Sequence, residues 1–351
     1  MPNNFPQLMD KIFYYSDGKF ICFLILSCIL SLSCHAQEPD LWVRYEGKEG
    51  PGKGKYIVLI SGDDEYRSEE GLPMLGKILA ERYVFDCTVL FAIDPETQAI
   101  TPNYPHNIPG LEQLENADLM ILLMRFRELP DQQMAHFDTY IRSGKPIIGL
   151  RTSTHAFNYS ENKSSPFAKY SWQHKGGDWE NGFGLQVLGE TWVSHHGHHG
   201  KEGTRVLIDG VDQINDHPIL RGVQDIWGPT DVYTIKNLPE SANVLAYGQS
   251  TRGMSADAEL IWEKSIMPVA WTLNYTGENG NISKVFNTTM GASVDLESED
   301  LRKMIINASF WCLDMGELVE ENMNVDYVGD YHPTMFGFDK FQRGLKPSDL
   351  K

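Results

Sequence analysis

The sequence has little positive charge, few cysteines and no apolar stretch of comfortable membrane-spanning length. Lys and Arg together number 30 against 48 Asp and Glu, which gives a net charge of −18. A chain this acidic lacks the positive field that nucleic acid or an anionic membrane surface attracts, so we expect no nucleic-acid partner. The 351 residues are 41% hydrophobic, an ordinary globular composition that excludes a disordered or fibrous chain.

The N-terminus carries the pattern of a secretory signal peptide. Residues 20–32 form an apolar run that two lysines precede and the small residue Ala36 follows. We therefore predict that residues 1–36 are removed on export to the periplasm or the medium, which leaves no integral membrane span in the mature chain. An uncleaved anchor, lipid attachment at Cys34 and a true start at Met9 are the alternatives.

Cysteine content argues against a disulfide framework. The chain has five cysteines, and removal of residues 1–36 leaves only Cys87 and Cys312. Two cysteines far apart in sequence do not define a set of bridges. We expect both to be buried small hydrophobic residues, with a single bridge between them as the alternative.

Apolar runs of strand length alternate with helical patterns through the first half of the chain. Runs at residues 55–62, 86–93, 117–124 and 145–150 predict strands, and helices are predicted after the first and third of them. Continuously apolar strands separated by helices indicate an α/β fold, a doubly wound and mostly parallel sheet with helices on both faces.

The second half is richer in Trp, Gly and turns. Further strands are predicted at residues 189–193, 204–209, 243–247, 268–273 and 283–288, and a helix at residues 296–313. These patterns divide the chain into four predicted segments: the signal peptide, a polar glycine-rich segment at residues 37–54, the α/β domain at residues 55–318, and an irregular C-terminal tail at residues 319–351.

Polar loops follow three of the predicted parallel strands and should meet beyond their carboxyl ends, where such folds bind ligands. Arginine suits carboxylates, whereas a carboxylate and a histidine can act as general base and acid. We predict catalytic groups at Arg151 and His155. The predicted substrate-binding side chains on these loops are Asp63, Asp64, Arg125, Arg127 and Ser153.

A histidine loop is the most unusual local feature. Four of the five residues at 195–199 are histidines, and glycines between and after them allow tight turns. Imidazole is a common ligand for divalent metals such as zinc, and we assign His196 and His198 to such a site. Adjacent histidines on an extended segment point in opposite directions, so at most two would share one ion. Histidines that bond the backbone or pack on neighbouring Trp are the alternative.

The same surroundings supply the other predicted site residues. Asp231 and Tyr233 lie two residues apart, so on an extended segment they face the same side. We assign catalytic functions to His196 and Asp231 and substrate contacts to His195 and Tyr233. Candidate stacking platforms for a sugar ring are Trp172, Trp179 and Trp227, although aromatic residues in sheet proteins more often lie in the core.

Several segments in order resemble the trehalose-utilisation (ThuA-like) family. They are Gly62 at the end of the first apolar strand and residues 149–155, 217–222, 231–233, 268–272 and 288–291. The histidine loop together with residues 328–338 resembles a secreted, environmental-bacterial branch. The resemblance implies a fold similar to class I glutamine amidotransferases, flavodoxin-like and three-layered, and a context of sugar catabolism, often of 3-keto sugars.

Glutamine amidotransferase activity does not fit this chain. That chemistry needs a Cys at a sharp turn between strand and helix, and Arg151 stands at the equivalent position. We therefore expect an exported protein that acts on a sugar or 3-keto-sugar derivative by acid/base chemistry. A non-catalytic carbohydrate-binding protein and a metal-dependent hydrolase that uses the loop at residues 195–199 are the alternatives.

Overall fold

The computed structural model describes residues 41–208 and 216–351. The predicted signal peptide, including Cys34 and Met9, lies outside the described residues, and the predicted segment boundaries stay predictions. The described residues belong to one unit. In the described part, no helix has the length and apolarity that a membrane crossing would need.

The described residues form ten strands and three α-helices, together with short 3-10 and π-helical turns. The strands are β1 (Trp42–Tyr45), β2 (Tyr56–Gly62), β3 (Asp86–Phe91), β4 (Leu119–Met124), β5 (Ile147–Leu150), β6 (Thr204–Leu207), β7 (Trp227–Gly228), β8 (Asn243–Ser250), β9 (Met267–Thr276) and β10 (Ile282–Thr288). The helices are α1 (Ser68–Tyr83), α2 (Asp131–Arg142) and α3 (Glu299–Cys312). The α/β class predicted from the alternating pattern is therefore confirmed.

All ten strands form one sheet in the order β1-β3-β2-β4-β5-β10-β9-β8-β6-β7. Strands β3, β2, β4, β5 and β10 are parallel neighbours, whereas β1 and the four strands beyond β10 pair antiparallel. The sheet is mixed, and the prediction of a mostly parallel sheet holds for the central block only. A short connection joins β9 to β10, and such connections produce antiparallel pairs.

The parallel block is covered on both faces. Along β2, Ile57 and Leu59 belong to one core cluster with residues of α1 and α3, whereas Val58 and Ile60 belong to a second cluster with residues of α2. Successive side chains of a strand point to opposite faces, so a strand buried on both sides must be apolar throughout. This explains why the strand-length runs in the sequence are predominantly apolar.

Two local predictions differ from the structure. Residues 189–193 form no strand, because the carboxylate of Glu190 binds the backbone N–H groups of Thr191, Lys236 and Asn237 at 2.6–2.9 Å. Backbone donors satisfied by a side chain are not available for a sheet ladder. Conversely, the polar glycine-rich segment before residue 55, in which no strand was predicted, contributes β1, an edge strand paired with β3.

Both cysteines in the described residues are free and buried, as expected. Cys87 lies in β3 and Cys312 at the end of α3. Burial raises the pKa of both thiols, so neither is an activated nucleophile.

Candidate active site

Loops that follow β2, β4 and β5 meet at the carboxyl edge of the parallel block. The backbone N–H of Arg125 donates to Gly62 at 3.0 Å, and that of Phe126 donates to His155 at 3.0 Å. The hydroxyl of Thr152 donates to the carboxylate of Asp63. The predicted convergence of the three loops is therefore present, and contacts between them fix their positions.

A sharp turn at Arg151 ends β5. Its φ angle of 43° places a non-glycine residue in the left-handed region, and a 3-10 turn over Arg151–His155 follows directly. The Arg151 side chain is fully buried. Its guanidinium group lies 4.6 Å from the ring centroid of Tyr66 and 3.9 Å from that of Tyr233. Arginine in this position packs inside the protein instead of facing a ligand.

Arg151 holds Asp231 in place. Its Nη1 donates to the backbone oxygens of Asp231 at 2.7 Å and Thr289 at 2.8 Å, and its Nη2 donates to Asp231 Oδ1 at 3.0 Å. Both partners of this ion pair are completely buried. A buried charge needs such a partner, so Arg151 is a positioning residue for the carboxylate.

Asp231 in turn organises two histidines. Its Oδ2 lies 2.7 Å from His195 Nδ1, and its Oδ1 lies 3.2 Å from His199 Nδ1. Burial opposes ionisation of the carboxyl group, but these two hydrogen bonds and the Arg151 charge outweigh it and hold the pKa of Asp231 well below its usual value. Asp231 is therefore a carboxylate at neutral pH, with both imidazoles aimed at it.

His199 lies between two carboxylates. Besides Asp231, its Nε2 is 3.1 Å from Glu65 Oε1. Hydrogen bonds to Asp231 and then Glu65 raise the pKa of His199 to about 9. This imidazole is therefore protonated at neutral pH and can donate a proton.

His155 has the opposite character. It is almost fully buried among the rings of Phe126, Trp192 and Tyr233, at centroid distances of 5.1, 5.6 and 6.3 Å. Burial lowers the pKa of His155 well below its usual value, and the charges of Arg125 and Arg151 lower it further. This imidazole is neutral and can accept a proton.

His155 lines a small opening that we call the histidine cleft, with a volume of about 70 Å³. Its lining residues are Glu65, Arg125, Phe126, His155, Trp192, His195 and Tyr233. His199 lies outside this lining and contacts two of its residues, Glu65 at 3.1 Å and His195 at 4.7 Å between ring centroids. The guanidinium group of Arg125 lies 3.6 Å from Glu65 and stacks 4.5 Å from the ring centroid of Phe126. Arg125 is thus the partly exposed cation that faces the cleft.

The C-terminal tail forms one side of this site. The backbone N–H of Gly337 donates to Glu65 at 2.7 Å, and the side chain of Arg67 donates to the Gly337 oxygen. The Phe336 ring packs 5.4 Å from that of His199. Phe338 covers the guanidinium group of Arg125 at 4.8 Å from its ring centroid. The tail therefore fixes both Glu65 and Arg125.

Four predicted site residues shape the loops without facing the cleft. Buried Asp63 accepts the backbone N–H groups of the next turn at 2.7 and 2.9 Å, and buried Ser153 donates to the Leu122 oxygen at 2.7 Å. Arg127 donates to three backbone oxygens, at residues 102, 104 and 125. Asp64 lies 3.9 Å from Arg125 but outside the lining set.

Within the histidine loop, the structure brings together a different set from the predicted metal pair. His196 Nε2 contacts the Ser265 oxygen at 2.8 Å, and the side chain of His198 is 74% exposed. His195, His199 and Asp231 instead place one ligand atom each within 4.8 Å of the others. A turn at residues 198–202 brings His199 back beside His195, with ring centroids 4.7 Å apart.

This set fits a divalent metal ion. Two imidazole nitrogens and one carboxylate leave further coordination positions open, as catalytic zinc sites do. Arg151 would orient Asp231 from behind, in the manner of an outer-shell partner. A cation there would replace the proton that the two carboxylates otherwise stabilise on His199.

Three residues of the site had no individual signal in the sequence. His199 is one of four neighbouring histidines, and Glu65 is one of several acids in its loop. Trp192 lies in a segment predicted as a strand. The path of the backbone places Glu65 and Trp192 in the lining of the cleft and His199 in contact with Glu65.

Comparisons with known proteins give the family of this chain. A putative ThuA-like protein from Bacteroides uniformis matches with 14% identity and a TM-score of 0.45 over 76% of this chain and 93% of its own. One from Parabacteroides merdae matches with 14% identity and a TM-score of 0.44 over 74% and 90%. No curated protein matches. The ThuA family model, described as trehalose utilisation, matches residues 65–312, and the chain therefore belongs to the ThuA family.

Proposed function

We propose that the protein acts on a sugar or 3-keto-sugar derivative by acid/base chemistry in the histidine cleft. The observation that carries this proposal is the placement of two histidines in opposite surroundings: His155 lines the cleft, and His199 contacts its lining residues Glu65 and His195. His199 is held as an imidazolium by Asp231 and Glu65, and His155 is kept neutral by burial. Paired titratable groups whose pKa values are pushed apart are the mark of an acid and a base.

A 3-keto sugar suits this arrangement. A carbonyl group makes the neighbouring C–H acidic, so His155 can take that proton while electrons move to form a C=C bond. The enolate then re-forms the carbonyl group, and its C=C electrons form a new C=C bond to the next carbon. The glycosidic C–O bond at that carbon breaks, and His199 donates its proton to the leaving oxygen. Arg125, the cation that faces the cleft, would stabilise the negative charge that develops on the carbonyl oxygen.

Glutamine hydrolysis by a thiolate is not part of this proposal. Arg151 occupies the sharp turn where the nucleophile would stand, and the buried thiols of Cys87 and Cys312 lie in β3 and α3. Ser153 is no substitute, since its hydroxyl is buried and donates to a backbone oxygen.

A metal-dependent hydrolase is the second candidate, because His195, His199 and Asp231 form a plausible ligand set. A divalent ion there would supply a water molecule of lowered pKa. Elemental analysis of purified protein separates the candidates. A bound ion together with loss of turnover on chelation would favour the metal-dependent reaction over proton donation by His199.

The comparison of variants tests the acid/base proposal. Turnover of 3-keto-glycosides should fall by about 10²–10⁴-fold in His199→Gln and in His155→Gln. His136→Gln is the control, since His136 lies on α2 beside Glu115 and outside the cleft. Equal turnover in all three variants would contradict the proposal. Binding of sugars without turnover by the unmodified protein would support a non-catalytic carbohydrate-binding protein instead.

We further propose export and a flavodoxin-like architecture. Numbering only the parallel strands β2, β3, β4, β5 and β10 in chain order gives the spatial order 2-1-3-4-5, the order of flavodoxin-like doubly wound sheets. Export rests on the apolar run at residues 20–32. N-terminal sequencing of the protein recovered from the periplasm or medium tests it, with cleavage expected after Ala36.

A further inference from the structure

We propose that a second sugar ring binds in a larger cavity next to the histidine cleft, so that the preferred ligand is a disaccharide or longer glycoside. This inference rests on the proposed function for the class of ligand. We call this second cavity the tryptophan cavity. It is lined by Trp172, Gln173, Lys175, Asn181, Thr191, Trp192 and Val193, and its volume is about 540 Å³.

Size is the first argument. The histidine cleft has about 70 Å³, well below the roughly 300–1,000 Å³ of sites that enclose small molecules. It therefore admits only the reacting end of a ligand. The tryptophan cavity falls within the usual range, and the rest of a glycoside must lie somewhere beyond the cleft.

Continuity is the second argument. Trp192 lines both cavities, so the two cavities adjoin at its side chain. Its ring centroid lies 5.6 Å from His155, 5.7 Å from His195 and 5.7 Å from Trp172. A ligand that extends from the two histidines across Trp192 therefore meets Trp172 next.

The chemistry of the lining suits a sugar ring. Two half-buried indole rings offer flat apolar surfaces, on which the C–H face of a pyranose can stack. Amide and ammonium groups of Gln173, Asn181 and Lys175 stand around them and can bond to hydroxyl groups. The lining combines stacking surfaces with directional polar groups, as ligand sites do.

Trp172 is held in a fixed position. Its backbone N–H donates to Phe157 at 3.0 Å, and its backbone oxygen accepts the hydroxyl of Thr191 at 3.0 Å. Its ring packs 5.5 Å from that of Phe126. A platform that is already ordered costs little further entropy when a ligand binds.

The matched ligands trehalose and methyl α-glucoside test this inference, because they share a glucosyl unit and differ by one ring. The dissociation constant measured by calorimetry should be at least tenfold lower for trehalose than for methyl α-glucoside. The same difference is expected between the 3-keto forms of the two sugars. Trp172→Ala should weaken trehalose binding at least tenfold and methyl α-glucoside binding by less, so that the preference is lost. Trp262→Ala is the control, since Trp262 is 67% exposed and outside both cavities.

Equal affinity for both ligands, no binding of either, or an unchanged preference in Trp172→Ala would overturn the inference. Binding does not depend on turnover, so the two proposals fail separately. A trehalose preference that Trp172→Ala removes, in a protein that turns over no 3-keto-glycoside, would retain the cavity and refute the catalytic proposal. Turnover of 3-keto-glycosides without any disaccharide preference would retain the catalytic proposal and refute the second sugar site.

Discussion

Replacement of Asp231 by asparagine gives the sharpest test of the site, because this residue connects Arg151 with both histidines. The substitution keeps the side-chain shape and removes the charge. It leaves the Arg151 guanidinium group buried without its carboxylate, a change that costs about 3–5 kcal/mol when one partner of a buried pair is lost. We expect the lower end of that range, because two backbone oxygens still accept hydrogen bonds from Arg151.

The protein should still fold, since domains have total stabilities of about 5–15 kcal/mol. Urea unfolding at pH 7 measures the loss. The control is Asp225→Asn, which removes a carboxylate that is 74% exposed from its ion pair with Arg205. A surface pair of this kind contributes about 0–1 kcal/mol. Equal losses in the two variants would refute the reasoning that Asp231 and Arg151 form a buried, mutually dependent pair.

The same variant should change the titration of His199. Its hydrogen bond to Asp231 is the largest cause of its raised pKa, so in Asp231→Asn the pKa should fall from about 9 towards 6.5. Glu65 remains in contact and should keep the pKa above that limit. Imidazole chemical shifts followed by NMR across pH 5–10 measure the change, and an unaltered His199 titration would show that Asp231 does not control it.

Three further predictions concern stability. Burial raises the pKa of Glu69 to about 8, and neither carboxyl oxygen has a hydrogen-bond partner among the described residues. Between pH 4.5 and 8 the folded state therefore binds more protons than the unfolded state, and the free energy of unfolding should fall by about 1.4 kcal/mol per pH unit. Glu69→Gln should remove this pH dependence from the urea unfolding midpoint, whereas the exposed control Glu81→Gln should keep it. Equal pH dependence in the two variants would contradict the prediction. Protonated His199 stabilises the folded state fully below about pH 6.5, and this contribution is lost as the pH rises through about 9. The loss of unfolding free energy in His199→Gln should therefore shrink over that interval. A loss that stays constant with pH would show that protonation of His199 is not coupled to folding. Gly149→Ala should cost about 1–3 kcal/mol in thermal unfolding, since its Cβ would lie 2.4 Å from Asn287 Oδ1 and 2.8 Å from Leu188; an unchanged midpoint would mean that the site relaxes freely.

Much of the parallel block follows from the sequence because its strands are buried on both faces. Each of β2, β3, β4 and β5 coincides with a predominantly apolar run. The short edge strand β1 has no such signal, since it pairs on one side only. The segment at residues 189–193 has a strand-like composition, but the carboxylate of Glu190 takes up backbone donors around it. That contact joins segments almost fifty residues apart and is not visible locally.

The location of the site was predictable, but the selection of side chains was not. Loops meet beyond the carboxyl ends of parallel strands, and this rule placed Arg125 and His155 together with the loop after β2. Which histidines of the loop face inward depends on its pairing with Tyr233 and on the turn after His198. Of the three candidate stacking tryptophans, only Trp172 lies beside the cleft; Trp179 packs on Tyr170, and Trp227 belongs to β7.

The contacts of Phe336, Gly337 and Phe338 with the loop after β2 affect the order in which the protein can mature. Glu65 is among the first residues of the site to leave the ribosome, yet its backbone partner follows more than 270 positions later. Until residue 338 has been translated, Arg125 lacks its second aromatic neighbour, and the loop after β2 stays uncovered on that side. Ligand recognition should therefore be among the last properties that a nascent chain acquires, even though the strands beneath it are complete much earlier.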